Sequence, residues 1–348
     1  MKFRTLPETD IRVSDIGFGL WTISTGWWGT FTEGEAIGLM HKALDLGITL
    51  YDAADTYGNG YSEELIAKAF PKQRDQIVIA TKVGYNFYDH GNERRGQREI
   101  PQDFSVPFIR EAVEKALARL KTDRIDILQL HNIRMPQVED DALWALMEKL
   151  VEEGKIRSYG AALGPAIGWL YEGVDCVQRR RPHILQHIYN ALEPHPGRQI
   201  MDDGEHPADA TKAPRTNYLI RVTHSSGMLE GKYTIDTTFP PTDHRSHRPK
   251  SWLINGLKKI ETLQFLVGPG RTLGQAALQW LLADQRVASC LPNIYEEAQL
   301  REFAAASDCP PLTQDDLARV AELATANFGI EGETPNYKGT MTREVAAV

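Results

Sequence analysis

Long apolar runs are missing: no stretch of about 18 consecutive apolar residues, enough to span a bilayer, occurs in the 348-residue chain. The opening Met1-Lys-Phe-Arg-Thr-Leu-Pro-Glu8 has no apolar segment suited to a secretory signal. Cysteine is scarce. Cys176, Cys290 and Cys309 are too few and too widely spaced for a disulfide framework, which fits a reducing, cytoplasmic setting. Basic charge is in deficit, with 39 Lys and Arg against 47 Asp and Glu and a net charge of −8. No basic block is long enough to track a phosphate backbone, so nucleic-acid binding is not expected. The glycines form no phosphate-cradling loop of the familiar patterns, and no nucleophilic serine or cysteine arrangement stands out. His183 and His187 share a strand face, and His244 and His247 share a loop. A metal reading lacks a consistent third ligand and a carboxylate partner, so no metal is expected.

What is present is an ordinary globular composition, 42% hydrophobic and 25% charged. Strand-like runs at 48–51, 77–82, 125–131, 156–161, 184–189, 218–222 and 288–291 alternate with segments of helical spacing. One helix carries Ala36, Ile37, Met40, Ala43 and Leu44 and ends at Gly47. Ser62 is the expected cap of a short helix over 63–70. Ser105 opens another, with Pro107 in its first turn and Ile109, Val113, Ala116, Leu117 and Leu120 on one face. Further helices are expected around Leu143–Leu150, at 169–180, 273–282 and 296–306, and a terminal one over 313–327 is expected to lie as a lid across the barrel. Unbroken β–α alternation argues for one parallel sheet, and eight units argue for a closed (β/α)8 TIM barrel forming a single domain over residues 1–348. A doubly wound sheet is the alternative, but no Gly-x-Gly-x-x-Gly turn follows the first strand. Stretches 84–103, 193–216 and 236–250 are long for connections and are expected on the face where the strands end.

Four polar residues stand where these strands finish. Asp52 and Tyr57 lie in Asp52-Ala-Ala-Asp-Thr-Tyr57-Gly directly after one strand, Lys82 closes the next, and His131 closes the one after. A lysine or histidine ending a buried strand must be satisfied or used, because burying it unpaired costs several kcal/mol. Carbonyl reduction needs a hydride donor, an acid for the developing alkoxide and a group that orients the oxygen. A free tyrosine, with a pKa of about 10, is a sluggish acid at neutral pH. A nearby ammonium favours the phenolate, and a carboxylate fixes that ammonium. Tyr57 is thus the candidate acid/base, Lys82 and Asp52 its tuning pair, and His131 the orienting group. The plain alternative is a buried Asp–Lys ion pair and a satisfied histidine that serve only structure.

These segments resemble the aldo-keto reductases. Gly17-Phe-Gly19-Leu20-Trp21 matches that family's first-strand Gly-x-Gly-x-Trp, and Gly58-Asn-Gly60-Tyr-Ser62-Glu63 matches the stretch after its tyrosine. Gly227-Met-Leu-Glu-Gly231-Lys232-Tyr233 is similar to the segment after its seventh strand, and the likeness runs from about Thr5 to Phe328. The resemblance implies an NAD(P)H-dependent reductase of a small carbonyl compound, with Asp52, Tyr57, Lys82 and His131 catalytic. It also implies Gly19, Leu20, Trp21, Asp52, Gln186, His224, Ser225, Asn293 and Gln299 as cofactor contacts. Trp21, Trp28 and Tyr85, with Tyr57 and His131, would face substrate, and the aromatic side chains, Trp27, Phe87 and Tyr88 included, suit a sugar ring or an aromatic carbonyl. Arg94, Arg95 and Arg98 could meet an anionic substrate, but a solvated loop is the better explanation of them.

The chain also departs from the family pattern. Gln186 matches the glutamine that holds the nicotinamide carboxamide, but the Ser-Asn pair that accompanies it is Ala162-Leu163 here. Arg221-Val-Thr-His224-Ser225-Ser226-Gly227 replaces the usual Ser-Pro-Leu turn, and Asn293 and Gln299 stand where NADPH-preferring relatives carry basic residues. Both NADP and NAD are therefore open as cofactor. Two further functions deserve comparison: a cofactor-binding regulatory subunit of an ion channel, and a redox step that regenerates its cofactor in place during sugar conversion. Channel subunits usually carry an added terminal segment, and only about eight residues precede the fold here. No membrane association is expected, and nothing in the sequence argues against an oligomer.

Overall fold

The computed structural model describes residues 1–91, 99–333 and 335–343. The chain opens with an antiparallel hairpin of β1 (Phe3–Thr5) and β2 (Arg12–Ser14). Its Leu6, Ile11 and Val13 pack with Leu50, Val78, Ile127, Ile184 and Leu219, side chains that fill the barrel interior. The hairpin therefore plugs one end of the barrel and leaves the other as the working face.

Eight parallel strands form that barrel: β3 (Phe18–Gly19), β4 (Leu50–Asp52), β5 (Val78–Val83), β6 (Ile125–His131), β7 (Ile156–Ala162), β8 (Ile184–Ile188), β9 (Asn217–Arg221) and β10 (Val287–Leu291). Each pairs with the next in chain order. The ring closes where the Gly17 amide donates to the Cys290 carbonyl at 2.8 Å and the Cys290 amide to the Asp15 carbonyl at 2.9 Å. Gly17 is required at this seam, since a Cβ there would stand 2.7 Å from Leu291 Cδ2. Strand boundaries agree with the sequence reading to within two residues.

Helices cover the outside with their apolar stripes inward. Val106–Leu120 buries Ile109, Val113, Ala116, Leu117 and Leu120, as its spacing predicted. Thr32 with Glu35 and Thr272 with Gln275 form capping boxes at the starts of Glu33–Asp45 and Leu273–Leu282. Ser62 departs from expectation. The helix starts two residues earlier than expected, at Tyr61, with Gly60 in the left-handed conformation before it. Ser62 Oγ instead donates to the Ala54 carbonyl at 2.9 Å, tying the helix to the segment between Asp52 and Tyr57.

The terminal helix also departs from expectation. Gln314–Thr325 packs on the outside, with Arg319 3.9 Å over the Phe265 ring. The chain beyond it returns to the working face, where Lys338 bridges Gly168 and the Thr340 hydroxyl donates to Glu172 at 2.8 Å. Among the described residues, no helix is long and apolar enough to cross a membrane. The cysteines at 176, 290 and 309 are free thiols.

Candidate active site

Parallel register brings the four strand-end residues together. Gly19 pairs with Asp52, Asp52 with Ala80, Lys82 with Gln129, and His131 with Ala162. Lys82 lies two residues beyond Asp52's partner, on the same face of the pleat, and so points at the carboxylate. Its Nζ donates to Asp52 Oδ2 at 2.6 Å and to the Ala53 carbonyl at 2.7 Å, with only 1% of the lysine exposed. Gln129 and Gln186 donate to the other carboxylate oxygen at 3.2 Å and 3.0 Å. A buried ion pair is tolerated when its remaining lone pairs are satisfied, and here they are.

Tyr57 stands half-buried above this pair, with Lys82 Nζ 5.0 Å from its ring centroid. The His131 ring meets it edge-on at 5.8 Å and meets Tyr85 at 4.9 Å. The four residues singled out in the sequence thus converge at one end of the barrel. Tyr85 belongs to a polar chain that the sequence did not reveal. Asn132 Nδ2 donates to its hydroxyl at 2.7 Å, the hydroxyl bonds Glu99, and Glu99 pairs with Arg134 at 2.7 Å. Asn132 adopts a left-handed φ of 56°, which asparagine tolerates. Its place directly after the strand-ending histidine was the available signal.

The first-strand loop supplies the aromatic side chains. Leu20 is fully buried, and its amide donates to the Asp52 carbonyl at 2.9 Å. A Cβ on Gly19 would meet nothing within 4 Å, so this rim is open. Trp21 is half-buried, edge-on to Trp28 at 6.2 Å and to His244 at 5.6 Å. Trp27 also abuts His244, and its carbonyl accepts the His244 amide at 3.0 Å. Trp28 is enclosed, stacked on Tyr295 at 6.1 Å under the Arg245 guanidinium at 4.2 Å. Phe87 packs with Tyr85 and Ile100, and half-buried Tyr88 packs on the same cluster while also meeting Arg119 and Lys115. Arg94, Arg95 and Arg98 lie outside the described residues.

Further round the rim, His224 is pinned from behind. Its Nε2 donates to the Gly274 carbonyl at 3.0 Å and its ring stacks on Phe303 at 4.4 Å. Burial pushes its pKa down to about 4, so the ring is neutral. Ser225 Oγ donates to Glu193 at 3.0 Å. Ser225, Ser226 and Gly227 run consecutively through the left-handed region, at φ of 47°, 58° and 91°. Among the described residues, no protein acceptor takes the Ser226 or Gly227 amide. Asn293 follows β10 half-buried. Gln299 is fully buried, accepting from the Tyr295 amide at 3.1 Å and donating to Glu230 at 2.9 Å. Burial drives the Glu230 carboxyl up to about 7.

The model of the aldo/keto reductase family matches residues 15–325. The chain belongs to the aldo-keto reductase family. Its relatives include the aldo-keto reductase YhdN of Bacillus subtilis, 31% identical over 81% of each chain. The NADH-specific methylglyoxal reductase of Escherichia coli is 29% identical over 94% of this chain and 99% of its own. A probable voltage-gated potassium channel subunit beta of Arabidopsis thaliana is 25% identical over 90% and 93%. The solved glycerol dehydrogenase AKR11B4 of Gluconobacter oxydans superposes with a TM-score of 0.77 at 26% identity, covering 97% of this chain and 99% of that one. Membership makes the protein an NAD(P)-dependent oxidoreductase on a TIM barrel.

The residues at the mouth fit a nicotinamide dinucleotide. Two open amides in a left-handed turn suit an anionic group such as a pyrophosphate, and the turn opens onto the same rim as Tyr57. The arginine ending β9, Arg221, was not singled out in the sequence. Its Nη2 donates to the Leu163 carbonyl at 2.5 Å, at the end of β7. Among the described residues, no group of three or more His, Cys, Asp or Glu side chains is arranged to hold a metal.

Proposed function

We propose that this aldo-keto reductase reduces an aldehyde or ketone to an alcohol with NADH or NADPH, Tyr57 giving the proton. The observation that carries this reading is the buried Lys82–Asp52 pair, 2.6 Å apart, with its ammonium 5.0 Å from the Tyr57 ring. Bound nicotinamide supplies the hydride. As the carbonyl oxygen gains charge, the Tyr57 hydroxyl transfers its proton to that oxygen, and the phenolate left behind faces the Lys82 ammonium. Asp52 and the Ala53 carbonyl keep that ammonium in place, so the favourable field needs no rearrangement during the reaction. His131, edge-on to Tyr57, orients the carbonyl from the far side. In the oxidative direction the same groups act in reverse, Tyr57 taking the alcohol proton.

A sugar or an aromatic carbonyl compound suits the half-buried Trp21 and the Tyr85 beside His131. Reductases of a small dicarbonyl and of sugar-related aldehydes among the relatives support small polar substrates first. The channel-subunit relative favours a second reading, a cofactor sensor with little turnover. Purified protein incubated with each reduced cofactor and a panel of sugars, aromatic aldehydes and ketones separates the two. Many equivalents of cofactor consumed per chain are expected. A single equivalent or fewer across the panel would favour the sensor.

A further inference from the structure

Arg221 is a cation at the barrel mouth for which the catalytic machinery has no use. It ends β9, where its Cα registers with Ile188 of β8. Its guanidinium nevertheless reaches the Leu163 carbonyl at the end of β7, so the side chain passes over the end of β8, close to Gln186. The route is built into the backbone. Gly164, at φ 140°, lies against the guanidinium, and a Cβ there would collide with Nη2. The guanidinium's protein acceptors are neutral: Leu163 at 2.5 Å and, at a long 3.4 Å, the Pro165 carbonyl. Among the described residues, no carboxylate forms an ion pair with Arg221. A half-buried guanidinium with five donors and only backbone acceptors retains capacity for a ligand.

Three other side-chain donors of this region are taken. Lys82 is held by Asp52 and Ala53, the Asn132 amide by Tyr85, and the Gln186 amide by Asp52 and Gln129. With its NH2 turned to the Asp52 carboxylate, Gln186 leaves its amide oxygen as an acceptor. Ala162 and Leu163 have no polar side chain. The hydride must leave a ring lying beside Tyr57 and His131, and that ring carries one polar substituent, a carboxamide, with one acceptor oxygen and one donor NH2.

We propose that Arg221 holds the carboxamide oxygen of the nicotinamide, with the Gln186 oxygen taking its NH2. This assignment rests on the reductase reading above. It makes the guanidinium a positioning group that fixes which edge of the ring lies over β8, and hence which face is presented to the carbonyl.

The test compares NADH with ADP-ribose, which keeps the pyrophosphate and adenosine but lacks the nicotinamide. Binding to wild type, Arg221→Met and Arg221→Lys is followed by quenching of tryptophan fluorescence. Arg221→Met is expected to weaken NADH by about 10- to 150-fold, the range for loss of a hydrogen bond to a charged group. ADP-ribose should bind it within about twofold of wild type, which also reports that the site is folded, and Arg221→Lys should fall between. Equal weakening of both ligands would overturn the inference, because it would place Arg221 at the phosphates or in the scaffold. Unchanged NADH affinity would overturn it equally. A wild-type chain that binds neither ligand would remove the reductase reading and the inference with it, whereas wild-type binding with an indifferent Arg221 removes the inference alone.

Discussion

Gln186 donates its side-chain amide to Asp52 Oδ1 at 3.0 Å, on the oxygen opposite the one that Lys82 holds. Asp52 is therefore the hub of the barrel mouth, joined to β5 through Lys82, to β6 through Gln129 and to β8 through Gln186. Removing Lys82 leaves a buried carboxylate with two neutral amides, and breaking a buried pair in this way costs about 3–5 kcal/mol. Lys82→Met is expected to lose both turnover and stability. The double variant Asp52→Asn/Lys82→Met should recover most of the stability without recovering turnover. Denaturation midpoints and steady-state rates on the same samples test this. Wild-type rates in the double variant would reduce the pair to a structural element.

Tyr57→Phe removes a single hydroxyl from a half-buried ring whose packing against His131 and Lys82 does not depend on it. General acid catalysis contributes roughly 10²–10⁴-fold, and kcat is expected to fall by that much while the cofactor Kd stays within about twofold. A variant retaining more than a tenth of wild-type kcat at saturating substrate would exclude Tyr57 as proton donor.

The strands and the four residues that end them were legible because burial imposes a strong pattern. Continuous β-branched runs mark strands buried on both faces, and a lysine or histidine closing such a run stands out. Side-chain commitments were less legible. Nothing in Gln186's position indicated that its amide would turn toward Asp52, since that depends on which donors surround the carboxylate in three dimensions. Ser62 was read as a helix cap, but its buried hydroxyl donates instead to the Ala54 carbonyl, which also accepts the Tyr57 amide. The terminal helix was read as a lid, yet its apolar face, with Val320 buried, finds its partner on the outer layer. Arg221 escaped notice because one arginine ending a strand looks like a solvated rim charge until its reach to Leu163 is seen.

Glu230 carries a pH signature. Burial raises its carboxyl from the ordinary 4.5 to about 7, only partly opposed by the Gln299 hydrogen bond. The folded chain thus keeps a proton that the unfolded chain releases above about 4.5. The stability linked to that proton is full below the unfolded value and is lost as pH rises through about 7. Glu230→Gln cannot titrate. Relative to wild type it is expected to gain stability between pH 4.5 and 7, by roughly 3 kcal/mol, and to show no further change above. Thermal midpoints of the two proteins across that range test the assignment, and a difference independent of pH would refute it.

Discrimination between NADPH and NADH is expected to be weak. The sequence resemblance implies that, in relatives that favour NADPH, basic residues after the eighth barrel strand grip the ribose phosphate, and it matches those positions with Asn293 and Gln299. Gln299 is fully buried and bound to Glu230, so it offers a carboxylate neighbour rather than a free donor. The cations nearby are engaged: Arg301 Nη2 lies 2.6 Å from Glu297, and Lys232 Nζ 3.4 Å from Glu296. Both pairs are exposed and therefore worth little, so either cation can swing to a phosphate at small cost, which is why NADPH should still bind. A hydrogen bond to a charged group contributes roughly 1.5–3 kcal/mol, and with no dedicated guanidinium the preference should stay under about a hundredfold. Fluorescence titration with both reduced cofactors measures it directly. A larger preference for NADPH would overturn this expectation and point to Arg301 as the phosphate ligand, in which case Arg301→Ala should remove the preference while leaving NADH affinity unchanged.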